Sequence, residues 1–574
     1  MTSVATPIMN YPKLFAADPA GISAYLESGL APVAELDALL SPLEAIDGFR
    51  IASQELQRSV RAGISLSNFF VKQRELGKII KDLGLKQAQA IVEGAGFVSL
   101  DESPESTVSQ RVAERYAQLL HAQSKMGPWI AELGELTKIP SISRLGETSP
   151  TIERSAEWVA ARMRKAGFQS VKVLEEKGAN PSVYGEFTTI DPKKPTVIFY
   201  AHHDVQPVGD NWDTGPFTPF VKGSRIYARG IADDKAGFMA GLAAVESFFE
   251  TGVEPPCNII FFIEGEEEIG SPNLEKFLKQ LPEGLKPDVV ILADSENVET
   301  GVPMVTTSLR GVASFLVSVR TLMGRGLHSG FYGGPVLDAN TALSMAIAKL
   351  FGEHGEVAVP GLERPLLSRT ALQNLMHSPF SEESFRKATG MVPSLRLIGN
   401  TGGSVHRRRW YDYSLSALAL EGLQPIADAT ALITGQARAL VSLRIPPGAD
   451  AKKAAEIFKK HAEGLDVFGA EIRVDIRAGM IEPWQGDVNH PMVARMAEAL
   501  TQGYDHPAIL GGIGASIGFL DIFGRRFPNT ALVPIGIEDP YTNAHSANES
   551  LSVDDWCKTI YSLILFFDCL GNPS

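Results

Sequence analysis

Eight side chains have the types and order to do chemistry together: His202, Asp204, Asp233, Asp234, Glu267, Glu268, Asp294 and His545. Two imidazoles and several carboxylates, with no thiolate among them, suit a pair of zinc or manganese ions better than a structural zinc. Paired metals need one carboxylate able to bridge them, with further ligands on either side. Asp233 is suited to that task, in a loop ahead of the apolar run Ala236–Val245. The adjacent Glu267 and Glu268 can divide the work, one binding metal and one handling protons. Taken singly, each motif has an ordinary reading. His202-His203-Asp204 is then a strand-end turn, Asp233-Asp234 charge at a helix start, and Glu266–Glu268 a solvated acidic turn. Their joint occurrence in this order is what points to a site.

The elements that position them are short apolar runs that stop at polar residues. Val197–Tyr200 leads into His202, Asn258–Ile263 into Glu264–Glu268, Val289–Ala293 ends at Asp294, and Ala531–Ile535 runs toward His545. Between about residues 107 and 308 such runs alternate with helical stretches. The pattern predicts an α/β catalytic domain with a mostly parallel mixed sheet, its ligand site beyond the carboxyl ends of the strands. From about 309 to 480, strands over Val312–Val319 and Ala437–Leu443 and a helix over Asp338–Leu350 predict an inserted, smaller α+β domain. Residues 481–574 then complete the first domain. Gly402–Leu423, rich in glycine, arginine and aromatics, reads as an insertion. Residues 1–106 read as a helical extension, from the spacing of Ile22, Leu26 and Leu30 and of Leu76, Ile79, Ile80 and Leu83, ending in the polar linker Asp101–Ser106.

Composition narrows the function classes. The chain has 574 residues, with 53 Lys+Arg against 67 Asp+Glu and a net charge of −14. That balance argues against nucleic acid or an anionic membrane as partner. At 44% hydrophobic and 21% charged residues, the chain is of ordinary globular type. Cys257, Cys557 and Cys569 include no Cys-x-x-Cys pair, so neither a disulfide framework nor a thiolate zinc site is expected. No apolar run reaches the roughly 18–20 residues of a membrane span, and the first residues do not read as a secretory leader. The expectation is a cytoplasmic protein. Gly511–Gly518 lacks the Gly-Lys-Ser/Thr of a phosphate loop. Arg407–Arg409 reads as a solvated loop, and neither Ser329 nor Cys257 has a visible base to activate it.

As an ordered set, Tyr200–Pro207, Trp212 with Pro216-Phe217, Ile226–Lys235, Glu264–Ser271, Leu327–Gly334, Ser442–Arg444 and Ala544–Glu549 resemble the aminoacylase/carnosinase family of dinuclear metallopeptidases, most of all its cytosolic dipeptidase branch. The resemblance runs from about residue 107 to the C-terminus. It implies that Asp233 bridges two divalent ions, with His202 and Asp294 on one side and Glu268 and His545 on the other. It further implies that Asp204 orients His202 and that Glu267 is the general base. The inserted domain would be a lid and dimerisation domain whose His328 reaches the partner subunit's site in a homodimer and stabilises the oxyanion. Arg444 would clamp the substrate carboxylate, with Ser516, in the partly matching Ala515–Gly518, as a further substrate-binding residue. A cis peptide is implied after Asp233. Ala201 and Ala236 stand where the family has glycine, and neither Gly402–Leu423 nor residues 1–106 find a counterpart. The implied activity is metal-dependent cleavage of a peptide bond next to a free carboxylate, in a dipeptide. The alternative is an N-acyl-amino-acid amidohydrolase, and a third reading is a non-catalytic binding protein on this fold.

Overall fold

The computed structural model describes residues 64–65, 107–144, 149–191, 193–324, 326–399 and 404–571. The chain forms two compact units, the first running to Val305 and taking in Asp487–Leu510 and Ile522 onward, the second comprising Thr306–Gly486 and Gly511–Asp521.

In the first unit, the strands Ala531–Glu538, Val289–Glu296, Thr196–His202 and Asn258–Glu264 lie side by side and parallel. Ser182–Phe187 and Ser170–Leu174 extend this sheet antiparallel. Every residue of Asn258–Glu264 is buried. This is why the strand is written as one continuous apolar run: a parallel strand covered on both faces has no solvent side to alternate with. Helices Lys235–Glu250, Thr107–Thr137 and Val553–Leu570 pack on one another over the sheet. The first of them sits close to its strand, because a Cβ on Gly241 would come within 2.5 Å of the Phe199 ring. Its start is tied to the helix Thr107–Thr137, where the Lys235 ammonium donates to the carbonyls of Leu136 and Ile139 at 3.2 and 2.8 Å. Both carbonyls also accept a backbone N–H, from Ile139 and Ser141, so the ammonium adds a second donor to each where the helix gives way to the next loop.

The register sets the site. His202 pairs with Glu264, and Tyr200 with Leu292, so His202, Glu264 and Asp294 leave the sheet at the same end. Asp294 lies within its strand, which continues to Glu296 rather than stopping at Ala293 as expected. A smaller sheet pairs Arg225–Tyr227 with Ser550–Ser552, bringing the segment before Asp233 beside the segment after His545.

The second unit is α+β. Its antiparallel sheet has the order Ser414–Glu421, Gln436–Ile445, Gly311–Arg320, Glu471–Ile476. Gly311–Arg320 alternates buried and half-buried residues along its length, and helices Ala339–Ala348 and Ala451–Glu463 cover the buried face. Phe315 and Phe458 meet there with ring centroids 4.2 Å apart. Asp338 caps the first helix, accepting from the N–H groups of Asn340 and Thr341. Gly402–Leu423, expected as an insertion, supplies from residue 404 a helix, Val405–Trp410, and an edge strand of this sheet.

Of the N-terminal extension only Ile64 and Ser65 are described. They form a strand paired with Val221 and Phe220, and the helical expectation otherwise falls outside the described residues. Among the described residues no helix is long and apolar enough to cross a membrane.

Candidate metal centre and active site

The first unit brings His202, Asp204, Asp233, Glu267, Glu268, Asp294 and His545 into one cluster. Asp233 lies at its centre. Its Oδ1 is 3.0 Å from His202 Nε2 and its Oδ2 is 3.1 Å from His545 Nε2. His202 Nε2 is also 3.9 Å from Asp294 Oδ1, and His545 Nε2 is 3.2 Å from Glu268 Oε2. Ligand atoms of His202, Glu267 and Asp294 lie within 4.8 Å of one another, as do those of His202, Asp233 and Glu268. The peptide bond between Asp233 and Asp234 is cis.

His202 and Glu268 are held in place by neighbouring residues. His202 Nδ1 is 3.0 Å from the Asp204 carbonyl and 3.3 Å from its Oδ1, which fixes the proton on Nδ1 and turns Nε2 to Asp233. The His202 N–H donates to Asp234 Oδ2 at 3.2 Å. Asp204 is itself fixed by the Ser143 hydroxyl at 2.6 Å and accepts from the N–H groups of Glu267 and Glu268 at 3.2 and 3.1 Å. One aspartate therefore orients both a histidine and the acidic turn. Gln206 holds the Glu268 carboxylate, while among the described residues nothing hydrogen-bonds the carboxylate of Glu267.

Glu549 is buried and supports the Asp233 loop. It accepts from Arg229 Nη1 at 2.7 Å and from the N–H groups of Gly230, Ala232 and Asp233 at 3.0, 3.0 and 3.2 Å. Arg229 reaches on to the Pro207 carbonyl at 3.2 Å. Removing one partner of such a buried pair costs about 3–5 kcal/mol, because the other charge is left uncompensated. Gln206, Arg229 and Glu549 were not singled out from the sequence, although all three stand inside the motif segments around His202, Asp233 and His545.

The electrostatics are those of a crowded anionic pocket. Burial, reinforced by Asp294, raises Glu267 well above the usual carboxylate range. Burial and the charge of Asp233 push Glu268 up to about 7 and Asp294 to about 6. Asp233 differs: burial opposes its ionisation, but hydrogen bonds from His202 and His545 outweigh that and hold it below the usual range. His545 is raised to about 11 by its bonds to Asp233 and Glu268. Four buried acids around two imidazoles leave a surplus of negative charge, and that donor set fits a divalent cation. Beside it, His203 is not a ligand: its Nε2 faces the Pro181 carbonyl at 3.0 Å, and burial pushes the ring down to about 4.

The remaining expected residues lie in the second unit. Arg444 Nη1 donates to Ser516 Oγ at 2.7 Å, so these two are brought together. His328 is exposed, and its Nδ1 accepts from the Gly330 N–H at 3.1 Å.

Comparison with known proteins agrees with this geometry. The chain is 29% identical over 430 residues to the cysteinylglycine-S-conjugate dipeptidase of Corynebacterium striatum, covering 73% of this chain and 90% of that protein. It is 27% identical over 376 residues to the beta-Ala-His dipeptidase of Rattus norvegicus, covering 63% and 74%. The solved structure of the dipeptidase Dug1p from Saccharomyces cerevisiae superposes with a TM-score of 0.68 at 23% identity, covering 80% of this chain and 99% of that one, which shows the shared fold. The model of peptidase family M20/M25/M40 matches residues 198–567, a span that begins in the His202 strand, ends in the last helix and contains the whole cluster around Asp233. With its fold, its acidic cluster and most of its length in agreement, the chain belongs to peptidase family M20/M25/M40.

Proposed function

We propose that this protein is a dinuclear metal-dependent dipeptidase that cleaves a peptide bond next to a free carboxylate. The division of Asp233 supports this most: one oxygen faces His202 and the other His545, and each histidine has a second carboxylate beside it, Asp294 or Glu268. Such an arrangement suits two ions sharing Asp233, and imidazole with carboxylate oxygen suits zinc or manganese. The names of the relatives, dipeptidases for two different peptides, support the substrate class.

Two divalent cations held by His202, Asp233, Glu268, Asp294 and His545 would supply Lewis acidity for the scissile carbonyl and for a water that must lose its proton near neutral pH. Glu267 accepts that proton at its carboxylate and returns it to the leaving amine nitrogen. Among the described residues nothing hydrogen-bonds its carboxylate, which suits this role, whereas Glu268, gripped by Gln206, suits a fixed ligand. Arg444, paired with Ser516, receives the substrate carboxylate on its planar guanidinium. His328 serves the partner subunit of a homodimer. Because its Nδ1 accepts from Gly330, the neutral ring carries its proton on Nε2 and donates it to the developing oxyanion. An interface is supported by the exposed leucines of the edge strand Ser414–Glu421, Leu418 and Leu420, at 60% and 54% exposure. Among the described residues no disulfide joins Cys257, Cys557 or Cys569, which supports a reducing, cytoplasmic setting.

A panel of dipeptides and N-acyl amino acids, tested on manganese- and zinc-loaded protein with Glu267→Ala as control, examines the reading. Dipeptides are expected to turn over and acylated amino acids to resist. The reverse preference would make the protein an N-acyl-amino-acid amidohydrolase, and bound ions with no turnover of either class would make it a binding protein.

A further inference from the structure

The two sides of the Asp233 carboxylate are supported unequally. His202 belongs to a sheet strand, its ring is held by Asp204, and its backbone N–H by Asp234. His545 has none of this. It sits in the loop between Ala531–Glu538 and Ser550–Ser552, its side chain is 60% exposed, and among the described residues its ring pairs with Asp233 and Glu268 alone. That loop is also strained, for Asn543, His545 and Asn548 all have left-handed backbones, with φ of 57°, 62° and 61°. Non-glycine residues keep such conformations only when the surroundings enforce them.

Four residues after His545, the Glu549 carboxylate enters the turn of Gly230–Asp233 and accepts three backbone N–H groups as well as Arg229. Its own carbonyl accepts from the Ala228 N–H at 3.1 Å. One residue thus fixes the end of the His545 loop and the backbone of Asp233, more than 300 positions apart in the chain. We propose that Glu549, with Arg229, is the positioning residue for the cation held by Asp233, Glu268 and His545, and that the cation on the His202 side does not depend on it in the same way. The inference rests on the two-cation reading above.

The test is equilibrium dialysis of the full-length protein against manganese, with bound metal counted by mass spectrometry. Wild type should bind two ions per chain. Glu549→Gln, nearly the same shape but presenting an N–H pair to donors, should keep one ion and bind the other roughly 10–100-fold more weakly. In a His545→Ala background the same change should cost no further manganese. Two ions of unchanged affinity in Glu549→Gln, or equal weakening of both, overturns the inference and leaves the two-cation reading intact. Fewer than two ions in wild type overturns that reading, and the inference with it. If Glu549→Gln gives no folded protein by circular dichroism, Arg229→Lys keeps the buried charge but loses the forked contacts. It must then show the same selective loss, and equal affinities in it overturn the inference.

Discussion

Gln206 grips Glu268 at both carboxylate oxygens, its backbone N–H donating to Oε1 at 3.0 Å and its side-chain Nε2 to Oε2 at 2.8 Å. The contact separates two neighbours of identical chemistry. Gln206 holds the Glu268 carboxylate, and among the described residues nothing hydrogen-bonds that of Glu267, a difference that suits the division of labour proposed for them.

Glu267→Gln should therefore lower kcat by about 10²–10⁴-fold, the usual contribution of a general base, with both metal ions retained. Glu268→Gln should instead lose metal. Metal counting beside steady-state kinetics separates the two, and near-wild-type kcat in metal-replete Glu267→Gln would remove the base from the mechanism.

Chelation should abolish turnover and lower the melting temperature, because ions that bind only the folded state add stability. The contribution is about 2.7 kcal/mol at a free concentration one hundred times Kd. Calorimetry with and without chelator, followed by manganese or zinc addition, reads both losses and their recovery. An unchanged melting temperature in protein stripped of metal contradicts the expectation.

Equal amounts of His328→Ala and Glu267→Ala subunits, each inactive alone, should recover about a quarter of wild-type activity after subunit exchange. Random pairing makes half the dimers mixed, and one of their two sites is complete. Silent mixed dimers, their formation verified by native mass spectrometry, would argue against an active site shared between subunits.

Arg444→Lys should raise KM more than it lowers kcat, with kcat/KM down roughly 10–100-fold, since a charge-assisted hydrogen bond contributes about 1.5–3 kcal/mol and an ammonium has no planar fork. A substrate amidated at its C-terminus should be a poor substrate for wild type and show little difference between the two proteins.

Asp555, which belongs to none of the groups facing Asp233, offers a test of stability. Burial raises its carboxyl to about 6 although the Gly301 N–H donates to it. A folded value above the unfolded one means that the folded state resists ionisation. The penalty is absent below about pH 4 and grows as pH rises through 6, reaching at most about 3 kcal/mol. Asp555→Asn should thus raise the melting temperature at pH 7.5 and leave it nearly unchanged at pH 4. A gain of equal size at both would trace the effect to packing.

Much of the site is legible because buried parallel strands are written as unbroken apolar runs, and a polar residue at the end of each then marks the sheet's ligand-binding edge. His202, Glu267, Glu268 and Asp294 are found that way. The supports are not. Glu549 and Arg229 act by hydrogen bonds to backbone in distant segments, and such bonds leave no periodic trace in sequence. Gly511–Asp521 is similarly opaque. Its glycines are plain to see, but not that a Cβ on Gly512 would lie 2.5 Å from Ser308 Oγ, or one on Gly514 2.7 Å from Arg310, which is what fits this loop into the second unit. The strand Ser414–Glu421 escapes notice because six of its eight residues are exposed, so it lacks the alternation that reveals Gly311–Arg320.

The absence of a side chain at Gly241 lets the helix that starts at Lys235 settle directly onto Phe199. That seat works as a depth stop for the turn carrying Asp233. A methyl group there, several residues away from Asp233, would lift the helix like a shim under a hinge and draw the Asp233 carboxylate away from the two histidines that face its separate oxygens.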